Sequence, residues 1–185
     1  MHNLAQLWLP ILATAVLVFI ASSLIHMLFK WHNADYKKLP NEDAVAAAIR
    51  AGSPTPGQYM LPYCTGMEGM KDESMQNKFR DGPVGMLTLR KNGPPGMGSS
   101  LTQWFILTLV VAAIAGAIAL RIYGLQADPH RAGHLVGVIS FLTYAGGSVQ
   151  AGIWMGKPWR SVAKDLLDGL IYASISALTF QWLWP

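Results

Sequence analysis

Four long apolar stretches constrain the fold of this chain more than any other feature of its sequence. They cover residues 7–29, 101–123, 134–155 and 166–184, and each is close to the roughly 20 residues that a helix needs to cross a bilayer. All seven tryptophans lie at the ends of these stretches, where indole rings favour the level of the lipid headgroups. Only 13% of the residues are charged, compared with about 25% in soluble domains. The sequence therefore predicts an all-α membrane protein with four transmembrane helices.

A long polar connection divides the chain into three parts. Residues 1–30 hold the first transmembrane helix, residues 31–100 form an insertion, and residues 101–185 hold the other three helices. The first apolar stretch is too long for a signal peptide and has no Lys or Arg before it, so it is predicted to be a retained span. The expected architecture is a four-helix transmembrane bundle with a small insertion between helices 1 and 2.

The insertion contains signals for little regular structure. Asn41, with two acidic residues after it and Gly52 at the far end, predicts a short helix over residues 41–51. Weak alternation predicts one strand over residues 84–89, and the prolines and glycines of residues 54–62 predict an irregular run. So few elements cannot bury a sizeable core, and the insertion is expected to pack on the bundle or on a partner.

Basic residues lie mostly on one side of the predicted bundle. Four spans place twelve of the fourteen Lys and Arg residues on the side of the insertion, and only Arg121 and Arg131 on the other. Because basic connections stay in the cytoplasm, residues 31–100 are predicted to be cytoplasmic, with both termini on the outer side. The insertion has eight basic and seven acidic residues, which predicts no nucleic-acid binding.

Polar side chains inside spans 1 and 4 form the first candidate site. His26 and Asp168 lie at similar depth, each one turn from a lysine at the inner end of its span. Asp165, Asp168 and Tyr172 share one helix face, with Lys164 beside them. An ionisable group inside a span needs a partner or water. Two hypotheses stay open, namely a proton- or ion-linked site made by His26, Asp168 and Tyr172, or a hydrogen bond between helices that fixes their packing.

Two other groups of residues have the chemistry of metal ligands. His130 and His134 lie on one helix face close to Asp128, a set that could hold zinc or copper. The alternative is that they are polar residues at a helix start, where Asp128 is the N-cap.

A soft-ligand run follows in the insertion, where Cys64, Met67 and Met70 could bind Cu(I). The alternative there is a set of flexible methionine contacts on a loop near the membrane. A single cysteine excludes an internal disulfide. The sequence leaves the cofactor open between a metal ion and none.

Small residues four positions apart predict close helix packing. Ala112 and Gly116 in span 2, and Gly133 and Gly137 at the start of span 3, follow this spacing. The pattern does not distinguish packing inside the bundle from packing against another subunit.

Several segments resemble a family of small proteobacterial inner-membrane proteins. The resemblance is carried by residues 22–27, 32–36, 39–43, Trp159, 164–172 and 182–185. It implies a bacterial inner-membrane setting, in which the outer side is the periplasm, and it brings no catalytic activity with it. It also draws attention to His32 and Asp35 as interface candidates, beside His26, Lys164 and Asp168. If the protein binds a metal ion, His26, His32 and Asp168 are one ligand set to test.

Three functional hypotheses follow from these features. The chain has no nucleophile elbow, zinc-protease motif or phosphate-binding loop. The first hypothesis is a non-enzymatic accessory or scaffold protein that acts through a protein partner or as a homo-oligomer. The second is a small proton- or metal-ion-linked transporter or channel that uses His26 and Asp168. The third is a membrane-embedded enzyme acting on a lipid or quinone, which predicts a lipid-facing cleft that reaches the polar cluster.

Overall fold

Four long helices dominate the structure, a computed structural model that describes residues 4–185. They are Leu4–Phe29, Met97–Tyr123, Pro129–Trp154 and Trp159–Leu183, and each is long and apolar enough to cross a membrane. The all-α membrane fold predicted from the sequence is thereby confirmed.

The first of these helices changes its geometry along its length. A 3-10 turn, Leu4–Leu7, leads into α1, Trp8–Ser23, and a π-helical turn, Leu24–Phe29, ends the span. Lys30 then adopts a left-handed conformation with φ of 52°, which non-glycine residues rarely do. A second 3-10 turn follows at Trp31–Asp35. The chain therefore bends sharply where it leaves the first span.

The other three spans are regular helices with short connections. They are α5, Met97–Tyr123, α6, Pro129–Trp154, and α7, Trp159–Leu183. The backbone N–H of His130 donates to the Asp128 carboxylate over 2.9 Å at the start of α6. This cap explains why α6 begins five residues before the apolar stretch that predicted it.

Glycines bring α6 and α7 into close contact. A Cβ at Gly133 would lie 2.6 Å from the carbonyl oxygen of Ala177, and one at Gly137 would lie 2.9 Å from the Cβ of Ala177. A Cβ at Gly169 would lie 2.7 Å from the Cβ of Ala145. These glycines of α6 and α7 thus face a neighbouring helix of the same chain, which the sequence pattern alone did not decide.

The bundle is packed differently at its two ends. Around Leu7, Ala115, Val136 and Phe180, all fully buried, the interior is filled by apolar side chains. Toward the opposite end a smaller cluster forms around Val18, Ile25 and Tyr172. Polar side chains gather beyond this second cluster.

Residues 37–95 form a separate compact unit. Its elements are α2, Glu42–Ala51, β1, Gly57–Leu61, α3, Gly66–Gly69, α4, Glu73–Asp81, and β2, Gly85–Leu89. The two strands pair antiparallel, with Gly57 opposite Leu89 and Leu61 opposite Gly85.

The insertion contains more regular structure than its sequence predicts. The helix expected over residues 41–51 begins at Glu42, and the Asn41 side chain makes no capping hydrogen bond. The irregular run expected over residues 54–62 is wrong for Gly57–Leu61, which form strand β1 and pair with β2. The turn Trp31–Asp35 belongs with the bundle and not with this unit.

Candidate metal-binding site

Three elements bring the polar residues of the bundle together at one end. His26 comes from the π turn, and His32 and Asp35 come from the 3-10 turn after Lys30. Asp168 comes from the third turn of α7. The bend at Lys30 folds the second turn back on the first, so the rings of His26 and His32 meet edge to face with centroids 4.8 Å apart.

A chain of charged hydrogen bonds holds His32 in place. The Lys164 ammonium group donates to the Trp31 carbonyl oxygen over 2.6 Å and to the Asp35 carboxylate over 2.7 Å. Nδ1 of His32 lies 2.9 Å from Asp35 Oδ2, and its Nε2 lies 2.8 Å from Asp168 Oδ2. The imidazole ring is therefore fixed at both nitrogens by two carboxylates on different elements.

Each ring nitrogen of His32 faces a carboxylate oxygen, so each contact needs a proton between its two atoms. A neutral ring with two ionised carboxylates provides only one such proton. A neutral imidazole donates from one nitrogen only, whereas an ionised carboxylate can only accept. Both contacts of His32 are satisfied if a second proton is shared along the chain from Asp35 to Asp168. A metal ion at Nε2 would take the place of that proton, because the metal binds the lone pair.

Asp35 lies outside the spans and stays ionised. The hydrogen bond from Lys164 lowers the pKa of the Asp35 carboxyl to about 2, against a smaller opposing effect of burial. Hydrogen bonds from His32 and Ser161 lower this pKa further. An ionised Asp35 accepts the Nδ1 proton of His32 and directs Nε2 toward Asp168.

His26, His32 and Asp168 have the composition of a metal-ligand set. Their potential ligand atoms all lie within 4.8 Å of one another. The Asp168 side chain is only 7% exposed, and its Oδ1 has no hydrogen-bond partner among the described residues. A buried carboxylate oxygen without a partner is costly inside a membrane protein. An ion between the three residues would remove that cost.

The geometry fits a divalent transition metal with small adjustments. Ligand atoms about 2.1 Å from a tetrahedral ion lie roughly 3.4 Å apart. The three side chains, whose ligand atoms lie within 4.8 Å of one another, would have to rotate to reach this spacing. Two imidazoles and one carboxylate suit zinc or ferrous iron and leave at least one coordination position open. Asp35 supplies the outer carboxylate that orients a ligating histidine in such sites.

A cavity of about 750 Å³ adjoins the three residues. Trp104, Tyr144 and Tyr172 form one wall, with ring centroids 5.5 to 6.2 Å apart. The Tyr172 hydroxyl is buried and has no hydrogen-bond partner among residues 4–185. An ion bound by His26, His32 and Asp168 would therefore face a space that also holds an unpaired hydroxyl.

Asp165 lies beside the same cavity but belongs to a different group. Its carboxylate accepts hydrogen bonds from Lys157 and Ser148. It lines the same cavity as His26, Asp168 and Tyr172, the residues with which the sequence grouped it, but it is not one of the three potential metal ligands.

Among the described residues, Asp128, His130 and His134 do not form a group of three potential metal ligands. Asp128 caps α6, and Nδ1 of His130 lies 2.6 Å from the amide nitrogen of Gln181. These contacts favour the alternative of polar residues at a helix start, and the metal site at Asp128, His130 and His134 stays a prediction without structural support.

The soft-ligand site stays a prediction. The Cys64 thiol contacts the Gly66 carbonyl oxygen over 3.7 Å, and the side chains of Met67 and Met70 are exposed.

His32 was considered as a metal ligand with His26 and Asp168 and as an interface candidate with Asp35, but its position next to His26 was not predicted. It lies six positions after His26, and helical periodicity does not place the two together. Tyr144 was not predicted at all, although its position 28 residues before Tyr172 puts the two rings at one depth once α6 and α7 are antiparallel.

No known protein-family model, curated protein or solved structure matches this chain. Its function is therefore inferred from the geometry of this site.

Proposed function

We propose that this protein is a membrane-spanning metal-binding protein, in which His26, His32 and Asp168 hold a divalent transition metal at one end of the helix bundle. All three residues line the adjoining cavity, from which a substrate or an exchangeable ligand would reach the ion.

The main support for this proposal is the position of His32 beside Asp168. Asp35 holds Nδ1 of His32, so that Nε2 points at a buried carboxylate whose second oxygen has no partner. Other buried polar atoms also lack partners among the described residues, but Asp168 Oδ1 is the one that belongs to a group of three potential metal ligands. The orphaned oxygen therefore favours a ligand site over a packing contact.

The closed interior of the bundle favours binding at one membrane face over transport across it. Val136 and Phe180 are fully buried in an apolar core that separates the cavity from the opposite end. A transporter would need a second conformation to open this core. Metal-ion-linked transport and the accessory role through a protein partner or homo-oligomer stay predictions.

The membrane setting supports a cytoplasmic site. The resemblance to proteobacterial inner-membrane proteins and the distribution of basic residues favour an inner-membrane protein with periplasmic termini and residues 31–100 in the cytoplasm. His32 and Asp35 belong to that stretch, so the ion would exchange with the cytoplasm.

Elemental analysis of purified protein tests the proposal. Protein exposed to Zn²⁺ and then desalted should retain about one ion per chain, because three protein ligands support stable binding. His32→Ala and Asp168→Asn should each lose it, since both remove a ligand. His134→Ala is the matched control and should retain the ion. Absence of zinc from the wild type, or equal retention in all variants, would contradict the proposal.

A further inference from the structure

A second cleft opens beside the first, between the π turn and the start of α5. It has a volume of about 310 Å³ and is lined by residues that include Ser23, His26, Met27, Ser100, Leu101 and Trp104. Its walls come from two predicted membrane spans, and the neighbouring side chains of Leu24, Met27 and Leu28 are exposed. On a membrane-spanning bundle, exposed apolar side chains at this position meet lipid. The cleft therefore opens sideways toward the bilayer.

The lining is apolar along its walls and polar at its floor. Met27 and Leu101 supply hydrocarbon, whereas His26 and Ser100 supply groups that can donate hydrogen bonds. Neither the His26 ring nor the Ser100 hydroxyl has a side-chain hydrogen bond to another described residue, while the Trp104 indole N–H is already used by Ser22 Oγ at 2.8 Å. The cleft thus presents unused donors to an oxygen acceptor.

The charged groups around the cleft favour a neutral ligand over an anionic lipid. No Lys or Arg lines it, so a phosphate headgroup would lack the cation that normally pairs with it. The Asp168 carboxylate lies behind His26 and would repel an anion. A neutral headgroup with carbonyl oxygens meets the available donors without this repulsion.

The indole ring of Trp104 favours a flat headgroup. It lines both this cleft and the larger cavity, as His26 does. Flat π systems pack on indole faces in offset or edge-to-face geometry, which a glycerol ester cannot do. A planar ring carrying carbonyl oxygens would use the aromatic wall and the donors together.

We propose that this cleft binds an isoprenoid quinone, with the quinone ring between His26 and Trp104 and the tail along Met27 and Leu101 into the bilayer. The site is defined by protein side chains alone, so the inference does not rest on metal binding. Its position places a quinone carbonyl next to the histidine that the proposed metal site also uses.

Binding of decylubiquinone to the full chain in detergent, with chelator present, tests this inference. Titration should quench tryptophan fluorescence saturably in the wild type. Ser100→Phe fills the cleft and should weaken binding at least about tenfold. Ser99→Phe is the matched control, since it makes the same change one position away, outside the lining, and should bind like the wild type.

A second variant and two competing lipids complete the experiment. Leu101→Trp is a second cleft-filling variant, and it replaces Ser100→Phe if the unfolding temperature of that variant falls. Phosphatidylglycerol should not compete with the quinone. Non-saturable quenching, equal affinity in the Ser99 and Ser100 variants, or displacement of the bound quinone by an equal concentration of dioleoylglycerol would overturn the assignment. Because chelator is present throughout, these outcomes are independent of the zinc measurement.

Discussion

Asp35 acts on the proposed ion through His32 and not by direct contact. Its carboxylate receives Lys164 on one oxygen and His32 Nδ1 on the other, which makes it a positioning residue. Loss of such an outer carboxylate typically weakens metal affinity about 10- to 100-fold. We expect this change for Asp35→Asn, measured by calorimetric titration with Zn²⁺. Asp72→Asn makes the same substitution at the start of α4 and should leave affinity unchanged, and unchanged affinity in the Asp35 variant would remove its positioning role.

The depressed pKa of Asp35 also predicts how stability depends on pH. The pKa of Asp35 is about 2 in the folded protein, below its ordinary value of 3.8, chiefly because Lys164 donates to it. A lowered folded pKa gives stability that is fully present above the unfolded pKa and is lost as pH falls through the folded pKa. The unfolding temperature of chelated wild-type protein should therefore fall between about pH 4 and pH 2 more steeply than that of Asp35→Asn. Parallel profiles would show that the ion pair contributes nothing.

The sequence predicts how deep a residue lies in the membrane, but not which way the chain turns after the first span. His26 and Asp168 were placed at one level because the rise of a helix fixes how deep each residue lies. The contribution of His32 depends on the left-handed conformation of Lys30. No glycine or proline marks that bend in the sequence, so periodicity could not show that the chain turns back.

Among the elements, the contact between α6 and α7 depends on glycines with no space for a side chain. Gly133→Ala would place a methyl group 2.6 Å from a backbone carbonyl oxygen, which cannot move aside without shifting α7. We expect destabilisation of about 1–3 kcal/mol, the usual cost of overpacking, measured by unfolding in a detergent mixture. Gly146→Ala is the control on the same helix, because nothing lies within 4 Å of the added group. Equal stability of the two variants would contradict this packing.

The sequence predicted the four spans, but it did not predict where they end or that β1 is a strand. Spans are set by about 20 apolar residues, a strong local signal, and all four were found. Their ends were not, because α5 starts at Met97 and α6 at Pro129, in polar sequence outside the apolar stretch. Strand β1 was missed because pairing with β2 depends on a partner distant in sequence.

For the molecule as a whole, membrane orientation can be measured with the native cysteine. Cys64 is the only cysteine, and the proposed topology places it in the cytoplasm. A membrane-impermeant maleimide should leave it unlabelled in intact cells and label it after lysis. In a Cys64→Ser background, Gln126→Cys between α5 and α6 should be labelled in intact cells. The reverse pattern would invert the topology and place the candidate site at the periplasmic face.

X-ray absorption spectroscopy of the zinc-loaded protein reports which atoms bind the ion. We expect two imidazole nitrogens at about 2.0–2.1 Å and carboxylate or water oxygen at about 2.0–2.2 Å, with no sulfur. His26→Ala should reduce the imidazole contribution by half. A sulfur ligand at about 2.3 Å would place the ion at Cys64, and a zinc shell of oxygen alone would show that the histidine cluster binds no metal.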